Sequence, residues 1–327
     1  ILIIVPTTSL VEQMASDFVD YGWSIKQIHK IYSGHDRETH KPVVISTWQS
    51  LYKLPKKFFK DYGVVFGDEA HLFKAKSLTN IMEKLTDCPY RFGFTGTLDG
   101  TQTNRLVLEG LFGKAEKVIT TKELIDSNTL AKLNVVCLLL KHKEEEAKSI
   151  KDSNYAEEIQ YLISNTRRNK FLFNLCDTLK GNTLLLYQMV EKHGMVLYKL
   201  CQKLDRDLHF VYGGVDAHER EKVRRLTEKS NKSLIIASYG TFSTGINIKN
   251  INNVIFASPS KLRIRVLQSI GRGLRKSETK NDVTLYDISD DLSYKNKKNF
   301  TLRHFEERIN IYNEEEFDYR IDKVNLW

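Results

Sequence analysis

Two adjacent carboxylates, Asp68 and Glu69, close the apolar run Tyr62-Gly-Val-Val-Phe-Gly-Asp-Glu-Ala-His71. The run reads as a buried strand, and the carboxyl ends of strands in an open parallel sheet are where ligands bind. One acid there can hold Mg2+ through its water shell while its neighbour orients an attacking water on a nucleotide phosphate. Asp68 takes the metal role and Glu69 the water role; a solvated acidic turn is the plain alternative. A second chemical group lies in Leu262-Arg-Ile-Arg-Val-Leu-Gln-Ser-Ile-Gly-Arg-Gly-Leu-Arg275. Gln268, Arg272 and Arg275 fall at i, i+4 and i+7 on one helical face, with Ile264, Leu267, Ile270 and Leu274 on the apolar one. Guanidinium groups offer planar, charge-assisted forks to phosphoryl oxygens. The alternative is a basic face turned to solvent or nucleic acid.

Other segments place Thr and Gly directly after strand-like runs. They are Ile3-Ile-Val-Pro-Thr-Thr-Ser-Leu10, Ile45-Ser-Thr-Trp-Gln49, Phe92-Gly-Phe-Thr-Gly-Thr97, Tyr212-Gly-Gly-Val-Asp-Ala-His-Glu-Arg220 and Ala237-Ser-Tyr-Gly-Thr-Phe-Ser-Thr-Gly-Ile-Asn-Ile248. Free N–H groups and hydroxyls at such places bind phosphate oxygens without reading bases. Trp48 can stack on a base or pack beside the sheet. His71 can bridge the acidic site to Thr95 or Thr97, or serve as a structural histidine. A strand-to-helix turn explains Gly213 and Gly214 equally well.

The elements that must position these groups alternate along the chain. Strands are expected at Ile1–Val5, Val43–Ser46, Gly63–Phe66, Arg91–Thr95, Val135–Leu140, Thr183–Tyr187, Leu208–Val211, Leu234–Ala237, Asn253–Ala257 and Asp282–Tyr286. Helices are expected between them, including Ser9–Tyr21, Tyr155–Thr178 and Leu262–Arg275. This pattern means α/β architecture, with mostly parallel sheets carrying helices on both faces. The chain's 327 residues suit two such domains. Polar sequence places the break between them: a first domain over 1–120, a linker over 121–134, a second domain over 135–300 and a helical tail over 301–327. Lys141–Asn154 reads as a charged surface insertion. Basic clusters at Lys53–Lys60, Arg167–Arg168, Arg224–Arg225 and Lys295–Lys298 either widen a polyanion-binding track or are solvated faces. Lys plus Arg total 50 against 41 Asp plus Glu, and that net +9 favours a polyanionic partner. The cysteines form no CxxC pair, so reduced core thiols are expected rather than zinc. Reduced thiols point to a cytoplasmic compartment, and no apolar run has the length of a membrane span, so no membrane partner is expected.

The ordered set of motifs resembles the superfamily 2 helicases, over nearly the whole chain. Asp-Glu-Ala-His stands as the Walker B motif, Phe-Thr-Gly-Thr as the Ser/Thr-Ala-Thr motif with Gly96 for the usual Ala, and Gln-Ser-Ile-Gly-Arg-Gly-Leu-Arg as the arginine motif. The resemblance implies two RecA-like domains, ATP and Mg2+ as cofactors, and catalysis by Asp68, Glu69, His71, Gln268, Arg272 and Arg275, the last two as arginine fingers. It implies nucleic-acid contacts at Pro6, Thr7, Thr47, Trp48, Thr95, Thr97, Gly213, Gly214 and Thr244. It also implies nucleotide contacts at Gly245 and Asn247, where many relatives carry Asp. Within the family the motifs most resemble the UvsW-type helicases of T-even phages. That implies a monomeric motor in the host cytoplasm acting on branched or forked DNA, or on RNA–DNA hybrids, by branch migration, fork regression and R-loop unwinding. The alternatives are a restriction-type translocase, an RNA helicase motor, or a non-catalytic binding or annealing module. The phosphate-binding Gly-x-x-x-x-Gly-Lys-Ser/Thr is not among the 327 residues. The chain is therefore expected to be a fragment that hydrolyses ATP poorly without it, and Gly110-Leu-Phe-Gly-Lys-Ala115 reads as an ordinary turn.

Overall fold

The computed structural model describes residues 1–33, 36–37, 39–96, 102–241, 248, 250–258 and 282–327. They form two compact units, Ile1–Lys117 and Val118–Trp327. Among the described residues, the first unit holds β1 (Leu2–Val5), β2 (Ile28–Ile31), β3 (Val43–Thr47), β4 (Val64–Gly67) and β5 (Tyr90–Gly93). They form one parallel sheet in the order β2-β3-β1-β4-β5. Successive side chains of a strand point to opposite faces. Leu2 and Ile4 accordingly join a core with Phe59, Leu78, Ile81 and Met82, while Ile3 and Val5 join another with Val11 and Ala15 of the helix Thr8–Asp20. Covering both faces is what makes β1 apolar along its whole length.

The second unit repeats the scheme. Its described strands are β6 (Lys132–Lys141), β7 (Thr183–Tyr187), β8 (Asp207–Val211), β9 (Ser233–Ser238), β10 (Asn253–Phe256), β11 (Asp282–Asp291) and β12 (Tyr319–Asn325). They run in the order β12-β6-β11-β10-β7-β9-β8, and each described pair is parallel. Val135, Cys137 and Leu139 of β6 face Phe305 and Tyr312, whereas Val136, Leu138 and Leu140 face Leu172 and Leu197. Both units are thus α/β with helices on both sheet faces, as expected.

Several boundaries differ from the sequence reading. Residues 121–134 are not a free linker. Thr120 and Glu123 form a capping box that starts the helix Thr121–Asp126, Ile125 and Leu130 pack on the second core, and β6 already begins at Lys132. The tail over 301–327 is not helix alone: the helix Phe300–Glu314 is followed by β12, which adds beside β6 with Tyr319 opposite Val135. Lys141–Asn154 is only partly a surface insertion. His142 is buried with Nε2 3.0 Å from Asp290 Oδ1, and Ala147 of the helix Glu144–Ile150 packs with Leu162 and Leu292. The expected helix Tyr155–Thr178 breaks at Asn165, whose side chain accepts the Arg168 N–H at 3.0 Å and caps the second piece, Thr166–Thr178. Arg168 itself is no surface cation: it is fully buried against Asp290. Arg224 is held by Glu221 and Glu228 along its own helix.

A buried fork fastens the C-terminal helix. Arg308 Nε and Nη2 donate to the two oxygens of Asp287, each at 2.8 Å, and the Tyr312 hydroxyl donates to the same carboxylate at 2.8 Å. Removing one partner of a buried pair leaves the other charged and uncompensated. Asp287→Ala is expected to lower the unfolding free energy of the second unit by about 3–5 kcal/mol in urea titrations, and a loss below about 1 kcal/mol would contradict this role.

Candidate functional site

Register builds the site of the first unit. Val5 lies opposite Thr47, Ile4 opposite Gly67, and Gly67 opposite Gly93, so β3, β1, β4 and β5 end level and side by side. The next residues, Trp48-Gln49, Pro6-Thr7, Asp68-Glu69 and Phe94-Thr95, share that edge. The loops are laced through their main chains: Asp68 N–H donates to Ile4 at 2.9 Å, Phe94 N–H to Gly67 at 2.8 Å, and Ala70 N–H to Phe94 at 2.8 Å. The glycines in Phe-Gly-Asp and Phe-Gly-Phe have a steric cause. A Cβ on Gly67 would come 2.7 Å from the Phe73 ring, and one on Gly93 would come 2.9 Å from Phe112.

Glu69 adopts the left-handed conformation, φ 49° and ψ 52°, which costs a residue with a Cβ about 1–2 kcal/mol. This turn starts the short 3-10 helix Ala70–Lys74 and sends His71 back across the site. His71 is buried, with Nδ1 3.0 Å from Thr95 Oγ1 and 3.3 Å from Glu69 Oε2. The imidazole therefore sits between one acid of the pair and the loop after β5.

Asp68 is partly buried, and its Oδ1 accepts the Glu69 N–H at 2.9 Å. Burial first, and the Glu69 charge second, push its carboxyl above the ordinary aspartate value, against the pull of that N–H and of His71. A crowded, partly desolvated carboxylate pair fits a divalent cation, whose charge offsets the crowding. Among the described residues no group of three or more His, Cys, Asp or Glu could cage a metal. Mg2+ at Asp68 would complete its shell with water and phosphate oxygens, its usual habit at nucleotide sites.

The expected nucleic-acid residues of this unit divide. Thr7 caps the helix Thr8–Asp20 by accepting the Leu10 N–H at 3.4 Å, and the Pro6 carbonyl accepts Gln49 Nε2–H at 3.3 Å, tying the loops after β1 and β3 together. Thr47 is buried with its hydroxyl 3.0 Å from Ser50, so that side chain points inward. Trp48 packs on the core containing Leu2 and Leu51 and lies 6.0 Å from the Tyr52 ring, which fits core packing. Gln49 and the Phe94 carbonyl were not anticipated as linkers. Gln49 stood inside a quoted motif, but nothing in the sequence marks a main-chain carbonyl.

In the second unit Gly213 and Gly214 are exposed after β8, and the Gly213 carbonyl accepts Arg220 Nη2–H at 3.0 Å. At the end of β9, Ser238 Oγ lies 2.8 Å from Thr241 Oγ1, and a helical turn opens at Tyr239. Thr97, Thr244, Gly245, Asn247, Gln268, Arg272 and Arg275 lie outside the described residues.

Comparison with known proteins agrees with the fold. The family described as Type III restriction enzyme, res subunit, matches residues 1–100, and the Helicase conserved C-terminal domain matches 167–277. The chain is 36% identical to the ATP-dependent DNA helicase uvsW of Enterobacteria phage T4, covering 100% of this chain and 68% of that protein. The crystal structure of T4 UvsW superposes with a TM-score of 0.55 at 33% identity, covering 100% of this chain and 68% of that one. Two more distant structures share the fold. The Type ISP restriction-modification enzyme LlaBIII bound to DNA gives a TM-score of 0.68 at 14% identity, covering 99% of this chain and 28% of that one. Saccharomyces cerevisiae Dbp5 bound to RNA and ADP BeF3 gives 0.60 at 13% identity, covering 99% and 77%.

The raised Asp68 carboxyl has a consequence for stability. A folded state that holds a proton more tightly than the unfolded one is disfavoured as pH rises through the raised value. Asp68→Asn is therefore expected to raise the thermal midpoint of the first unit at pH 7, with the gain vanishing as pH falls into the ordinary carboxylate range. Calorimetry across that range checks this; an Asn variant no more stable at pH 7 would contradict the charge crowding.

Proposed function

This chain belongs to the superfamily 2 helicases, a family of ATP-hydrolysing enzymes, and from that premise we propose that it is the motor of a helicase acting on branched DNA. The work would be branch migration, fork regression and R-loop unwinding, done as a monomer in the cytoplasm of a host cell. The observation that supports this reading best is the linkage of Glu69, through His71, to Thr95 on the neighbouring strand-end loop. Such a linkage lets the nucleotide's state alter a loop that grips the nucleic-acid backbone. The likeness to a phage DNA helicase over the full chain favours DNA over RNA as the track.

Each residue has a separate task in this reading. Asp68 holds Mg2+ through water, and the cation supplies charge neutralisation at the phosphates. Glu69 orients the attacking water, its carboxylate aimed by the left-handed turn. Gln268 orders the nucleotide side of the second unit, where Arg272 and Arg275 stabilise charge developing on the transferred phosphoryl group. Gly245 and Asn247 contact the nucleotide. Pro6, Thr7, Thr95, Thr97, Gly213, Gly214 and Thr244, with the main chain at Thr47 and Trp48, contact phosphates along the strand. The res-subunit match supports a second reading, a translocase that moves on duplex without opening it. Displacement of a triplex-forming strand without unwinding of a fork would favour that one.

In the full-length protein, Glu69→Gln is expected to keep DNA affinity and to lower ATP turnover by about 10²-fold or more. Normal turnover would remove Glu69 from its role. Arg275→Ala is expected to cost about 10³-fold in turnover with little change in DNA binding, measured by steady-state hydrolysis and fluorescence anisotropy. DNA binding itself is expected to weaken steeply with salt and to be indifferent to sequence. A salt-insensitive, sequence-specific profile would contradict backbone tracking.

A further inference from the structure

Four groups from three segments of the second unit converge on two residues just past β10. The Ala257 carbonyl accepts Arg168 Nη2–H at 2.9 Å. Ser258 Oγ accepts the Gln188 N–H at 3.2 Å and lies 3.1 Å from His193 Nδ1. The Ser258 carbonyl accepts the Tyr239 hydroxyl at 2.9 Å. Arg168, His193, Tyr239 and Ser258 are all buried, and Arg168 is held in turn by Asp290, which also meets His142. Two polar atoms of this node, Arg168 Nη1 and His193 Nε2, are buried with no hydrogen-bond partner among the described residues. Burying charged and polar groups carries a desolvation cost even where they are paired. An apolar packing would hold the end of a strand at less cost, so stability alone does not account for the node.

Its place in the chain supplies the reason. Tyr239 opens the segment that carries Thr244 and Gly245, and Ser258 opens the segment that carries Gln268, Arg272 and Arg275. We infer that Tyr239 is a positioning residue: its hydrogen bond to the Ser258 carbonyl ties the nucleic-acid segment after β9 to the arginine-bearing segment after β10, so that bound DNA raises ATP turnover through this link. The inference rests on the roles proposed above for those two segments. Tyr239 touches neither substrate in this scheme; it acts by fixing where the second segment departs from the sheet. Arg168, His193 and the Gln188 N–H hold the same two residues from other segments.

The test compares two single-hydroxyl deletions in the full-length protein. Tyr239→Phe removes the bond and keeps the ring, which meets Phe256 edge-on at 5.7 Å. Tyr312→Phe removes another buried hydroxyl of the same unit, one that donates to Asp287. ATP turnover is measured with and without DNA, alongside thermal midpoints. Tyr239→Phe is expected to lower the ratio of DNA-stimulated to unstimulated turnover by about fivefold or more, the scale of a typical coupling between sites, while Tyr312→Phe leaves that ratio within about twofold. DNA affinity is expected to lose its dependence on a non-hydrolysable ATP analogue in Tyr239→Phe alone. An unchanged ratio in Tyr239→Phe, or an equal fall in both variants, overturns the inference. A wild-type protein with no DNA stimulation at all overturns the motor reading itself, a different failure from an unaltered ratio in the variant.

Discussion

Parallel strands deliver their following loops to one edge only when their registers agree. In the first unit that agreement is enforced residue by residue: Val5 with Thr47, Ile4 with Gly67, Gly67 with Gly93. A slip of one residue in β4 would turn every side chain of that strand to the opposite face. It would also withdraw the Asp68 N–H from the Ile4 carbonyl and carry the acidic pair off the shared edge. The packing of β4 makes such a slip costly, because Val65, in the core with Leu2 and Ile4, would exchange places with Phe66, which packs with Ile3 and Val5. The chemistry at Asp68 and Glu69 thus depends on a hydrophobic pattern several residues upstream of it.

That pattern is the part most legible in the sequence. The runs around Ile3, Ile45, Val65, Leu185 and Ile235 are apolar on both faces and bounded by turn residues, so strand and site position could be read together. The two strands that escaped are both sheet edges. Ile28-His-Lys-Ile31 has a half-exposed polar middle, and Tyr319-Arg-Ile-Asp-Lys-Val-Asn325 alternates with charge, as edge strands do when they must not recruit another chain. The helix at Thr121–Asp126 carried a readable Thr-x-x-Glu capping signal inside a stretch taken as linker. The node formed by His142, Arg168 and Asp290 was not legible. Its members are far apart in sequence and meet only through the order in which β6, β11 and β10 assemble.

Function is visible where the structure departs from its most stable form. Glu69 holds a left-handed backbone that glycine would adopt freely, next to a carboxylate whose burial and neighbour both oppose its charge. Neither feature strengthens the fold. Each makes sense if the site is completed by a cation and a polyphosphate, because the incoming charges then relieve the crowding and the turn aims the second acid. The buried node at Ser258 departs in the same direction: burial pushes the His193 pKa down to about 3, so the ring stays neutral, with one nitrogen that has no hydrogen-bond partner among the described residues. Such departures persist when the surrounding packing over-determines them, and the closely packed cores of both units supply that packing.

Each unit also carries a side-chain bridge between strand-end loops along one sheet edge. In the first, β4 and β5 are neighbours, and a single imidazole spans from the acidic loop to Thr95. In the second, β7 lies between β9 and β10, so a link between the two outer strand ends must cross about 10 Å, twice the spacing of adjacent strands. A histidine is too short for that distance. Tyrosine, with its hydroxyl at the far end of a rigid ring, narrows it, and the chain places one directly after β9 while Ser258 extends β10 to receive it. The choice of side chain at each bridge therefore follows from strand order, and both bridges end on the loop next to a phosphate-binding candidate. A motor that steps on a uniform backbone needs such lateral links, since the track carries no sequence signal to time hydrolysis for it.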